Sequence, residues 1–173
     1  MATKMQFLTR SEFDGVTTVD ITDIKQDVYG VHFVSFALIP DTDNSLPSIR
    51  YINTSDSVIS ADYEECFLEV YGGSSFTTYA TTSNGEVRIA ENTGDSWHES
   101  CVGSFYIYNA GATDYTFSSH QNTSVYTDGN MIGMKGGGQL KNNDSIKGFR
   151  LFDQNNASGT FTGVITVWGL SKK

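Results

Sequence analysis

The sequence predicts an all-β fold, a single antiparallel β-sandwich of jelly-roll-like kind, and three observations lead there. Turn-forming residues are dense and evenly spread, with 17 Gly and many Asn, Ser, Thr and Asp among 173 residues. No window of about 12 residues carries the apolar repeat of an amphipathic helix. Between the turn clusters lie short runs rich in β-branched and aromatic residues, the pattern of a sandwich or barrel.

Taken in order, the first fifteen residues carry Phe7, Leu8 and Phe13 without steady alternation and end at Asp14-Gly15. They read as an extended N-terminal arm, residues 1–15, ahead of a sandwich domain spanning 16–173. An apolar arm must dock somewhere, so Met5, Phe7, Leu8 and Phe13 are candidate anchors. Strands are expected over residues 28–39, 49–52, 63–71, 75–81, 86–91, 103–109, 115–119, 130–134, 146–152 and 160–170. Residues 31–39 are apolar on both faces, which marks a central strand or one that meets another subunit, and a homo-oligomer, trimer or dimer, is expected. In 63–71 the alternation puts Cys66, Leu68 and Val70 inward and leaves Glu65 and Glu69 on a wet face. Gly72-Gly73-Ser74 and Ser83-Asn84-Gly85 read as hairpin turns, making 63–91 a three-stranded meander. Phe105, Ile107, Ile165 and Val167 complete the expected core, with 160–170 in the sheet interior.

Composition narrows the function. Eleven basic against twenty acidic side chains leave a net charge of -9, so neither nucleic acid nor an anionic membrane is an expected partner. The N-terminus lacks the apolar block of a signal peptide, and the expectation is folding in a cytoplasm. Cys66 and Cys101 form no Cys-x-x-Cys and read as reduced, packed side chains.

Chemical motifs are missing one after another. There is no Gly-x-Ser-x-Gly, and Gly136-Gly137-Gly138 lacks the Gly-Lys-Ser/Thr ending of a phosphate loop. His32, His98 and His120 are scattered singly. Asp41-Thr-Asp43-Asn44 alternates oxygen ligands but lacks the Gly and Glu of a calcium loop, and turn chemistry explains it as well. Glu64, Glu65 and Glu69 read as a solvated face. The expectation is a protein that is not an enzyme, with no catalytic residues, no cofactor and no metal site. Tyr106 and Tyr108 alternate with Phe105 and Ile107, so one pair faces the core and the tyrosines face solvent, a sugar or, by preference, a protein partner.

The ending is the most specific feature. Ile146-Lys-Gly-Phe-Arg150-Leu-Phe152, then Asn155-Asn-Ala-Ser-Gly159 and Gly163-Val-Ile-Thr-Val-Trp-Gly169-Leu, resembles the last two strands of small virion structural proteins of tailed bacteriophages. Phe149 stands where those sequences carry Ile, and Trp168 where they carry Tyr. Phe7-Leu-Thr, Ile21-Thr-Asp-Ile, and Gly103 to Asn109 followed by Asp114-Tyr-Thr-Phe117 agree with the same pattern. The resemblance implies a jelly-roll-like sandwich and a virion component folded in the host cytoplasm. It further implies a capsid decoration or cement protein contacting the major capsid protein or other virion proteins, with a tail or fibre module that binds receptor or carbohydrate as the alternative.

Overall fold

A computed structural model describes residues 4–73 and 75–171. They form twelve strands and one short 3₁₀ turn: β1 Met5–Val16, β2 Thr18–Ile21, β3 Tyr29–Pro40, β4 Pro47–Asn53, β5 Tyr63–Tyr71, β6 Ser75–Asn84, β7 Val87–Arg88, the turn Trp97–Glu99, β8 Cys101–Tyr108, β9 Thr116–Val125, β10 Met131–Leu140, β11 Ile146–Asp153 and β12 Phe161–Ser171. Every registered pairing is antiparallel. Among the described residues no helix is long and apolar enough to cross a membrane.

The strands make an eight-stranded sheet, β1-β12-β3-β8-β9-β10-β5-β6, and a four-stranded sheet, β2-β11-β4-β7. From β1 to β4, and again from β7 to β8 and β11 to β12, the chain alternates between sheets. This wraps β1-β12-β3-β8 over β2-β11-β4-β7 as a jelly roll. The hairpins β5–β6 and β9–β10 are inserted into that wrap and widen the large sheet on one side.

Local chemistry fits this path. At the corner from β1 to β2, Gly15 sits at φ +61, a left-handed conformation that costs glycine nothing. In β3 the inward residues His32, Val34, Phe36 and Leu38 are buried, while the intervening residues are half-exposed, as a strand with one solvent face requires. Val34, Phe36, Leu38, Phe105, Ile107, Ile165 and Val167 face Ile49, Tyr51, Phe149 and Leu151 across the sandwich. Phe105 meets Phe149 edge-on at 5.3 Å, which ties the two layers at their centre. β12 lies between β1 and β3, inside the sheet as its burial pattern suggested.

Four expectations need correction. Residues 5–16 are not a free arm outside the sandwich. They form an edge strand registered with β12 from Met5↔Leu170 to Val16↔Phe161, so the boundary after residue 15 falls inside a structural element; residues 1–3 lie outside the described ones. The region 63–91 is not a meander, because β7 leaves β6 and pairs with β4 in the other sheet. Ser74 of the first hairpin turn lies outside the described residues. The face of β5 is reversed: Tyr63, Glu65 and Phe67 are buried, whereas Cys66 is exposed and Leu68 and Val70 are 42% and 50% exposed. Accordingly, Cys66 is not a packed core side chain; Cys101 is.

The reversal has a physical cause in β7. Glu65 accepts a hydrogen bond from the Arg88 backbone N–H at 2.7 Å and from the Asn84 amide at 2.9 Å. The Arg88 guanidinium pairs with Glu65 at 3.5 Å and Glu91 at 2.8 Å, and lies 4.5 Å from the Tyr79 ring centroid and 5.4 Å from that of Phe67. A buried carboxylate with a cation and two other donors is stable where an unpaired one is not. Beside it, β9 buries Thr116, Ser118, His120, Asn122 and Ser124. The widened half of the sandwich is thus closed by polar side chains.

Candidate functional site

Cross-strand register brings the two groups of candidate residues onto one surface. On the outward face of the large sheet, one row runs Phe7-Trp168-Phe33-Tyr106-Ser119-Gly137-Cys66-Ala80, each directly opposite the next on eight successive strands. The next row runs Met5-Leu170-Val31-Tyr108-Phe117-Gln139-Glu64. Rings touch along the first row: Phe33 lies 5.4 Å from Trp168 and 5.0 Å from Tyr106, and Tyr106 stacks on Tyr108 at 6.0 Å and 20°. Phe7 at 57% exposure and Met5 at 52% extend this band to the sheet edge.

Sequence reasoning placed Tyr106 and Tyr108 outward, and they are. Of the four anchor candidates, Met5 and Phe7 join the outward band, while Leu8 and Phe13 turn in and pack on the core. Strand alternation separates Phe7 from Leu8, and a register shift between Phe7 and Thr9 makes Leu8 the extra residue of the pairing. Trp168 and Phe33 were missed as surface residues. Their outward alternation is visible in each strand, but only the sheet order makes them neighbours of Phe7 and Tyr106.

The same face carries depressions on both sides. One of about 380 Å³ is lined by Cys66, Ala80, Gly137, Gln139 and Phe117, another of about 390 Å³ runs from Val102 and Ser104 of β8 to Leu68, Val70 and Lys135, and one of about 520 Å³ lies beside Arg10, Glu12 and Val164 at the β1 edge. Four registered rows of this face, from Met5 to Glu12 along β1, contain Arg10, Glu12, Glu64 and Lys135, whose formal charges cancel. The whole chain carries -9, so its acidity is displayed elsewhere.

Other clusters lie away from this face. Asp43, Asp95 and Glu99 bring carboxylate oxygens within 4.8 Å of one another, with Glu99 buried and accepting from the Ser96 N–H. Asp41 points away from them and accepts from the Thr160 N–H, so the residues considered from sequence as a calcium loop separate. His120 is 3% exposed, with neither ring nitrogen hydrogen-bonded, and burial pushes it down to about 4, so it is a neutral core side chain. It fits because Gly136 faces it: a Cβ there would stand 2.8 Å from His120 Nε2 and 2.4 Å from the Phe67 Cβ. Burial pushes the Cys101 thiol well up, leaving it inert.

The fold and this face define the class, a jelly-roll sandwich with a widened sheet. No protein-family model matches the chain, and no curated protein does. Among solved structures, an alginate lyase from Alteromonas sp. 272 aligns with 89% of this chain and 76% of that one at 8% identity and a TM-score of 0.27. The structure of infectious bursal disease virus Gx strain aligns with 98% of this chain and 36% of that one, at 9% identity and a TM-score of 0.14. Neither likeness bears on what this chain does.

Proposed function

We propose that the chain is a non-enzymatic virion structural subunit of a tailed phage, of the capsid decoration or cement type, which works by protein–protein assembly through the outward face of its large sheet. The observation that carries the reading is the charge-neutral, aromatic-rich band Phe7-Trp168-Phe33-Tyr106 on a protein whose net charge is -9. Contiguous exposed apolar surface rimmed by polar residues marks an interaction site, and aromatic side chains contribute contact area at low entropic cost. The acidic remainder of the surface keeps particles apart in solution. The C-terminal resemblance supplies the virion context. The anchor is this face rather than an arm, since only Met5 and Phe7 of the four arm residues are available to a partner.

The test is binding to preformed shells together with copy number in the particle. Wild-type chain is expected to decorate shells in hundreds of copies, and Phe7→Ala combined with Tyr106→Ala to bind about tenfold or more weakly while staying folded. Undiminished binding by the double variant removes the face from the function.

A second reading rests on the near-parallel Tyr106 and Tyr108 rings, a platform on which a sugar could stack. In that case the chain is a tail or fibre module present in tens of copies at most. Retention of host surface polysaccharide by the wild type, and its loss in Tyr106→Ala, would favour it.

A further inference from the structure

Among the described residues the two sheets end at β1, β6, β2 and β7, and three of these edges carry features that keep a strand from pairing further. β1 breaks register twice and carries Arg10, Glu12 and Asp14. β2 is four residues long and holds Asp20, paired with Arg150, and β7 is two residues long and holds Arg88. β6 has none of these features. It runs ten residues, Ser75–Asn84, in a stretch with no proline and with no charged residue between Glu69 and Glu86. Its register with β5 is unbroken from Ser75 to Thr81. Tyr79 holds it straight, stacked on Phe67 at 4.9 Å with the Arg88 guanidinium 4.5 Å from its ring centroid. Phe76 stands outward at 76% exposure, the highest of any large apolar side chain in a strand of the described residues.

We infer that β6 pairs edge to edge with β6 of a second copy of this chain, antiparallel, about a two-fold axis that passes through Thr78 at right angles to the sheet. Thr78 is the middle of the regular stretch, and beyond Thr81 the register shifts and the Thr82 carbonyl accepts from Lys141 Nζ at 3.3 Å. This pairing sets Thr78 opposite Thr78, Phe76 opposite Ala80, Thr77 opposite Tyr79 and Ser75 opposite Thr81. Residues directly opposite in antiparallel strands share a face, and each pair meets that condition: Phe76, Thr78 and Ala80 are outward, while Ser75, Thr77, Tyr79 and Thr81 are on the other face. Thr against Thr and an aromatic ring against a β-branched residue are stabilising cross-strand pairs, and the exposed Phe76 gains a small neighbour that leaves it room.

Charge and closure name the occupant. Copies that each carry -9 repel where their charges lie, and this segment brings none. A two-fold contact uses β6 of both copies, and the protected β1 edges then stop the sheet from growing past two chains. The axis keeps both outward faces on the same side, so the two Phe7-Trp168-Phe33-Tyr106 bands remain free for a shell. A single strand edge lies at the low end of interface areas, below about 1,200 Å² in total, so the dimer forms only in concentrated solution or where a shell gathers the copies.

Sedimentation is expected to show a monomer at about 1 μM and a dimer at about 200 μM, with every second amide over residues 75–81 exchanging about tenfold or more slowly at the higher concentration and those of β1 unchanged. Thr78→Lys, at an exposed position, sets like charges opposite each other and is expected to give a folded monomer at both concentrations. In a Cys66→Ser background, Thr78→Cys is expected to cross-link two chains under mild oxidation, whereas Phe76→Cys, which faces Ala80 rather than itself, is not. A monomer at about 200 μM, a dimer whose 75–81 amides exchange unchanged, or equal cross-linking of the two cysteine variants overturns the inference. Protection of 75–81 only on binding to shells overturns it too and gives the edge to a strand of another protein. Phe7→Ala combined with Tyr106→Ala is expected to leave the dimer intact, so failure of pairing and failure of shell binding are read separately.

Discussion

The sandwich has two interiors built on different chemistry. Beneath β12, β3 and β8 the layers meet through Val34, Leu38, Phe105, Ile107, Phe149, Leu151 and Val167, all essentially without solvent exposure. Beneath β9, β10 and β5 the polar side chains Glu65, Ser118, His120, Asn122 and Ser124 are buried beside the apolar Tyr63, Phe67, Ile132, Met134 and Leu140, with Arg88 pairing Glu65 and the Asn122 amide donating to the Ile89 carbonyl. The jelly-roll half is held by apolar area, whereas the inserted half mixes apolar side chains with buried polar ones, some paired, as Glu65 with Arg88, and some, as His120, with no hydrogen bond among the described residues. In the second, stability depends on named partners such as Arg88 as well as on volume filled.

The largest expected effect tests the apolar half. Phe149→Ala removes a fully buried ring that contacts Phe105, and a loss of about 4 kcal/mol is expected in urea unfolding. A loss below about 1 kcal/mol would show that this contact is not the centre of the core.

Arg88→Ala is next and probes the polar half, because it strands Glu65 in a site with 3% exposure. A cost of about 3 kcal/mol is expected, with partial recovery in the double variant carrying Glu65→Gln, since the amide has no charge to desolvate. If the double variant is as unstable as the single, the charge of Glu65 is not what Arg88 answers.

This half was the part of the fold least legible in the sequence. In β12 every inward residue is apolar, and Ile165 and Val167 could be placed by alternation alone. In β5 both faces carry apolar residues, and the inward choice depends on Arg88, 23 residues away, which no local pattern reveals. The β1 strand was hidden by its register shift, since Leu8 and Thr9 both lie on the inward side after Phe7 and so break the period of two. The site was half legible: Tyr106 and Tyr108 could be read from β8 alone, but their union with Phe7 required the order β1-β12-β3-β8, a long-range property.

A third outcome separates the halves by pH. Buried His120 holds its pKa at about 4 against 6.5 in the free side chain, so between those values the unfolded chain binds a proton that the folded chain does not. The stability that depends on neutral His120 is complete above pH 6.5 and is lost as pH falls toward 4, on the order of 3 kcal/mol. His120→Leu is expected to flatten that part of the profile; an unchanged slope would place the titration elsewhere. The smallest effect is expected at the surface, where Arg150 and Asp20 pair at 2.6 and 2.7 Å with more than a third of each side chain exposed. Asp20→Ala should cost below about 1 kcal/mol and less in high salt, and a larger loss would mean that β2 is pinned to β11 by this pair.

That the protein works through the outward face of its large sheet is tested most directly by hydroxyl-radical footprinting of shell-bound chain against dilute free chain. Phe7 and Tyr106 lie on that face, whereas Trp97, 81% exposed in the turn before β8, lies off the sheet and serves as the internal control. Bound protein is expected to show Phe7, Tyr106 and Trp168 oxidised about fivefold or more slowly than free protein, with Trp97 unchanged. Protection of Trp97 with Phe7 and Tyr106 still reactive would contradict it and move the working surface to the loops around Asp43 and Asp95.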